Sequence, residues 1–121
     1  MNLYQKIRGL EDFLGKGNML PLTQLGGQNR IVTDIKNGKI VYTHGIGATS
    51  DSFDIDLLYK SYFALLAKGA MSVKDLEKID KNYTQNGTPC NAVTFMLLMN
   101  HFFDCKIVVQ AAKGAPYVVI W

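Results

Sequence analysis

Cysteine and histidine are scarce in this 121-residue chain, at two residues each. Cys90 and Cys105 cannot build a disulfide framework. Even with His44 and His101 counted, they lack the close paired spacing of a structural zinc site. A bond between the two thiols is not expected either, because about fifteen mostly helical residues would hold them roughly 20 Å apart. Long apolar runs are missing too. The most apolar stretch, AVTFMLLM with Phe102 and Phe103 beyond it, is broken by Asn100 and His101 and is too short to span a bilayer. The opening residues, MNLYQKIRGLEDFLGKG, carry charge throughout and lack the apolar centre of a signal peptide. A cytoplasmic protein without a membrane partner is expected. No block of like charge suggests a tail, and no segment repeats. The glycines of LGGQ and THGIGA fit neither frame of a phosphate-binding loop. No cofactor and no metal are expected.

What remains is the material of a globular domain. Apolar residues make up 48% of the chain and charged residues 19%, enough to build a core in one domain spanning 1–121. The net charge of +3, from 13 basic and 10 acidic residues, is compatible with a polyanionic partner without requiring one.

Periodicity and punctuation define the elements. Leu3, Ile7, Leu10 and Leu14 recur at helical intervals, which predicts a helix over 2–14 that Gly15, Gly17 and Asn18 stop. Residues 19–28 read as a loop, so that 1–29 form a helix-and-loop extension to a core over 30–121. Asn37-Gly38 within RIVTDIKNGKIVYTHG is the favoured pair of a type I′ hairpin turn. The register then sets Lys36 opposite Lys39, Ile35 opposite Ile40 and Thr33 opposite Tyr42, with Ile31, Thr33, Ile35, Ile40 and Tyr42 facing the core. Residues 45–52 read as a loop, and Asp54 as the cap of a helix whose stripe is Ile55, Leu58, Tyr59, Tyr62, Phe63 and Leu66. Gly69 ends it. Ser72 and Asp75 form a capping box for a shorter helix, buried through Val73, Leu76 and Ile79. NYTQNG reads as a turn. Thr88 then caps, and Pro89 starts, a third central helix reaching about residue 103. Apolar residues cover most of this helix, so most of it must be buried; Asn91, Thr94, Leu98 and His101 form a thin, partly polar strip. CKIVVQAAKGAPYVVIW reads as a second hairpin turning at Lys113-Gly114, with its return strand beginning after Pro116 or lying at a sheet edge. Trp121 should be packed.

From the Asn-Gly hairpin onward, the order is strand, helix, capped short helix, turn, third helix and terminal hairpin. Over 39–121 this resembles the winged-helix variant of the helix-turn-helix domain, with the terminal hairpin as the wing. The implied fold is α+β: three central helices and a C-terminal wing, preceded by an N-terminal helix and the Asn-Gly hairpin. In such domains the third helix commonly enters the major groove of DNA. The matching positions here are Asn91, Thr94, Leu98 and His101. Asn can bond to adenine and Thr can make polar or methyl contacts, but no Arg or Lys is present for guanine. Lys74, Lys78 and Lys81 on the preceding helix, with Lys106 and Lys113 around the wing, could contact phosphates. A non-catalytic DNA-binding protein is therefore the leading expectation. The alternative is a protein-contact or homodimerisation module on the same fold.

A third reading is a Cys-His hydrolase. Cys90 falls at the mouth of a helix, where unpaired N–H groups and the helix field favour a thiolate. A catalytic thiol needs a base in reach, and His44, beside a glycine loop, could serve only through tertiary packing. A small buried hydrophobe is the usual role of a free Cys. The carboxylates of DSFDID, namely Asp51, Asp54 and Asp56, are better placed to favour a helix start than to hold a metal.

Overall fold

The structure, a computed structural model, describes residues 2–25, 28–45, 47, 49–87, 90–109 and 117–121. The fold is α+β, with four α-helices and two antiparallel sheets among these residues. The chain divides into two compact units, residues 1–56 and 57–121, and each is described by itself.

In the first unit, α1 (Leu3–Gly15) opens with a complete capping box. The Asn2 side chain accepts from the Gln5 N–H at 2.9 Å, and the Gln5 side chain accepts from the Asn2 N–H at 3.1 Å. Leu3, Ile7, Leu10 and Leu14 are its buried residues, as the spacing predicts, and the helix packs on β2. Four strands follow, β1 (Leu20–Leu25), β2 (Gln28–Lys36), β3 (Lys39–His44) and β4 (Thr49–Asp54), joined in that order as a meander. A four-stranded sheet thus stands where a lone hairpin was expected. Two of its strands were read as loops. β1 contains Pro21, which an edge strand tolerates because its missing N–H leaves no inner ladder incomplete. β4, TSDSFD, has almost no apolar pattern, and pairing along the whole of β3 makes it a strand.

The Asn-Gly turn forms as the pair predicts. Asn37 and Gly38 both take positive φ, 54° and 72°, the signature of type I′. Ile35 pairs with Ile40 and Lys36 with Lys39. Beyond them the register shifts between Val32 and Asp34, so Val32 rather than Thr33 lies opposite Tyr42. This bulge reverses which side is buried over Arg30–Thr33. Arg30 and Val32 are buried, whereas Ile31 and Thr33 are only half-buried.

The second unit begins within α2 (Ile55–Lys68), which follows β4 directly, Asp54 being the last strand residue. The buried residues are Leu57, Leu58, Ser61, Tyr62 and Leu65. The stripe is therefore rotated from the one expected, and Phe63 and Leu66 face outward. Gly69 ends the helix at φ 81°, its N–H donating to the Leu65 carbonyl at 2.7 Å. A short strand, β5 (Ala70–Ser72), leads into α3 (Val73–Ile79). There the expected capping box is present, the Asp75 N–H donating to Ser72 Oγ at 3.2 Å and the Ser72 N–H to Asp75 Oδ2 at 3.0 Å.

The turn expected at NYTQNG is a 3₁₀ run, Lys81–Gly87, and it places Tyr83 in the interior. The Tyr83 hydroxyl meets Ser61 Oγ, which donates in turn to the Leu57 carbonyl at 2.8 Å. The Tyr83 ring lies edge-on to Phe95 at 5.9 Å. Next comes α4 (Cys90–Phe103), buried continuously from Asn91 to Met99. Asp104, at φ 55°, closes it through a bond to the Asn100 carbonyl. The terminal hairpin comprises β6 (Lys106–Val109) and β7 (Tyr117–Ile120); Pro116 lies outside the described residues. β7 also pairs with β5, so the sheet order is β5-β7-β6. Trp121, expected to be packed, stays exposed: its backbone N–H donates to the Gly69 carbonyl at 3.0 Å, and one side of its ring meets Phe103 and Tyr62. The caps expected of Thr88 and Pro89, and the turn at Lys113-Gly114, lie outside the described residues.

Candidate nucleic-acid interface

Basic side chains gather on α3 and at the start of the 3₁₀ run. Lys74 and Lys78 are one helical turn apart, which puts their stems on one side of α3. Lys81 follows beyond the helix end, since the capped α3 stops at Ile79 and the chain turns through Asp80. With Glu77, these three lysines line an open depression of about 350 Å³. All four side chains are exposed. Val73 and Leu76 anchor the opposite side of α3 in the interior, so amphipathicity itself turns the lysines outward.

Neighbouring charge limits the patch. Lys68, at the end of α2, is drawn to Asp75, with Nζ to Oδ1 at 3.5 Å. Asp75 is held below the ordinary carboxylate range, first by the backbone N–H of Ser72. It therefore stays ionised and engages Lys68. Glu77 was not singled out in the sequence, although its place among the lysines of SVKDLEKIDK was legible. Its carboxylate opposes any anion approaching the depression.

The helix expected to read bases offers less. Asn91 is 5% exposed, and its amide donates to the Asn82 carbonyl at 2.8 Å. Thr94 is 0% exposed, and its hydroxyl donates to the Cys90 carbonyl at 2.9 Å. Leu98 is buried as well. Asn91, Thr94 and Leu98 of the strip are thus internal, not at the surface where base edges were expected to meet Asn91 and Thr94. Both polar groups are engaged by the protein's own backbone, and α4 is apolar on nearly every side. His101 alone of the four positions is exposed, against Phe102 at 5.5 Å. Lys106 is exposed at the start of β6. Lys113 lies outside the described residues.

The Cys-His pair is divided between the units. His44 closes β3, with Nε2 3.7 Å from Asp51 Oδ2 on the adjacent strand and its ring 5.8 Å from that of Tyr42. A carboxylate beside an imidazole can orient it, and the pairing of β3 with β4 supplies that juxtaposition. Cys90 opens α4 in the other unit and is half-buried. Both cysteines are free thiols, and Cys105 is buried, which pushes its thiol up. Among the described residues, no group of three or more His, Cys, Asp or Glu side chains could hold a metal ion, and no helix is long and apolar enough to cross a membrane.

No family model matches the chain, and neither the curated proteins nor the solved structures yield a match to it.

Proposed function

We propose that the chain is a non-catalytic DNA-binding protein in which residues 57–121 act as a winged-helix module. The element order helix, short strand, capped helix, helix, hairpin supports that description, as does the pairing of β5 with the returning strand β7. The observation that carries the function is the gathering of Lys74, Lys78 and Lys81 around one open depression. Three exposed ammonium groups in one place supply a local field that a phosphate backbone satisfies by releasing its counterions. Lys106 on β6 adds a fourth cation in the same unit. A mobility-shift measurement on a mixed-sequence duplex tests the reading: the shift should weaken with salt and should weaken further when Lys74, Lys78 and Lys81 are changed to Ala. Absence of any shift at about 50 mM salt removes it.

A second reading, self-association through the same unit, has its own support. Phe63 is 61% exposed and Trp121 48%. Tyr62 joins their surfaces, with ring distances of 5.4 Å to Phe63 and 5.5 Å to Trp121. Exposed aromatic area of this kind suits a protein contact. Sedimentation of the full chain decides it: a dimer that Phe63→Ser dissociates supports the reading, and a monomer at all concentrations removes it.

A further inference from the structure

Resting on the DNA reading, we infer that the unit grips double-stranded DNA through its phosphates alone, so that affinity follows salt and length but not base sequence. Direct readout needs side chains that leave the protein surface with uncommitted donors or acceptors. Of its four expected contact positions, α4 exposes only His101, at its far end. Asn91 and Thr94 are buried, and each donates to a carbonyl of its own unit. Further along, the Asn100 amide donates to the Cys105 carbonyl at 2.9 Å. Every residue from Asn91 to Met99 is buried, so a groove-inserting face would require the helix to leave its place.

The groups that do face outward have a different chemistry. Lys74, Lys78 and Lys81 end in ammonium ions, which are compact charges with three rotatable donors and no acceptor. They lack the planar fork by which arginine recognises a guanine edge bidentately. A flexible ammonium binds any phosphate oxygen within reach, and every base pair supplies the same phosphates. One turn of helix between Lys74 and Lys78 sets their Cβ atoms about 5–6 Å apart, so the two can engage separate phosphates. Glu77, in the same depression, weakens this grip by repelling the backbone and marks where the DNA passes.

The test uses the full chain and labelled duplexes of about 20 base pairs, A·T-rich, G·C-rich and mixed, titrated between about 50 and 200 mM salt. Affinities for the three should agree within about threefold, because phosphate contacts carry no sequence information. Three neutralised phosphates give a log-log slope near −2.7, so affinity should fall about 40-fold across that range. Changing the three lysines to Ala should flatten the slope. Glu77→Gln should tighten binding by roughly two- to fivefold, the effect of one exposed charge contact. A preference of about tenfold or more for one duplex, each mismatch typically being worth that much in base readout, overturns the inference and leaves the DNA reading standing. An unchanged slope in the lysine variant, or unchanged affinity in Glu77→Gln, overturns the placement of the grip. Failure of every duplex to bind at the lowest salt removes the DNA reading itself.

Discussion

The Tyr83 hydroxyl is an instance of one polar group shaping an interior. It is buried among residues of α2 and α4, bonded to Ser61, and 3.5 Å from the Leu57 carbonyl. Burial pushes its phenol well above the ordinary tyrosine range. The folded protein therefore keeps a proton that the unfolded chain loses once pH passes about 10. Stability from this group is complete below pH 10 and declines above it, by up to about 1.4 kcal/mol per pH unit. Denaturant midpoints at pH 9 and 11 should show the loss, and Tyr83→Phe should lessen it, at a cost near 1 kcal/mol at neutral pH. Asn91 makes the complementary case. Asn91→Ala leaves the Asn82 carbonyl without its amide donor and should lower stability by about 1–3 kcal/mol. If phosphate contacts alone hold DNA, the folded variant should keep the parent affinity; a lower affinity at equal foldedness would mean that Asn91 reaches the nucleic acid.

At the scale of elements, short local signals have the firmest consequences. Ser72 and Asp75 start α3 and so decide which residues of this short helix face outward. Ser72→Ala should cost about 1 kcal/mol in a denaturant titration. If the chain binds DNA as proposed, the same change should weaken that binding, because fraying the first turn loosens Lys74. The depressed Asp75 carboxyl adds a pH signature. Its stabilisation is present above the ordinary carboxylate value of 3.8 and is lost as pH falls through its lowered folded value. The Asn37-Gly38 turn behaves likewise. Gly38→Ala must hold φ near 72°, and should cost about 1–2 kcal/mol.

For the molecule as a whole, the proposed DNA binding could follow either its net charge or the placement of that charge. The overall value is only +3. Lys36 and Lys39 flank the hairpin turn of the first unit, while Lys74 and Lys78 belong to the patch on the second. Changing either pair to Ala lowers the net charge equally, from +3 to +1 by loss of two lysines. Only the Lys74/Lys78 variant should lose affinity, about fivefold to tenfold in a mobility shift at moderate salt. Equal losses in both would show that the field of the whole molecule acts rather than a local grip.

What the amino-acid order determined by itself is what neighbours in sequence can settle. The Asn-Gly turn, the Ser72 capping box and Gly69 as a helix stop rest on contacts within a few residues, where propensity and stereochemistry dominate. The apolar spacing of α1 and the apolar coverage of α4 announce burial that other elements then supply. The strand character of TSDSFD was not legible, because it comes from hydrogen bonds to β3 rather than from an apolar pattern of its own. The same holds for β1 and for β5, a three-residue strand defined by pairing with β7. A single bulge exchanged the buried side of β2 at Arg30–Thr33 without any mark in composition. The candidate site divides along the same line. Lysines spaced for one side of a short helix could be read directly, since amphipathicity acts locally. That Asn91 and Thr94 turn inward, and that Tyr83 fills the space beside Ser61, was decided by tertiary structure, because buried polar groups settle where distant backbone can satisfy them.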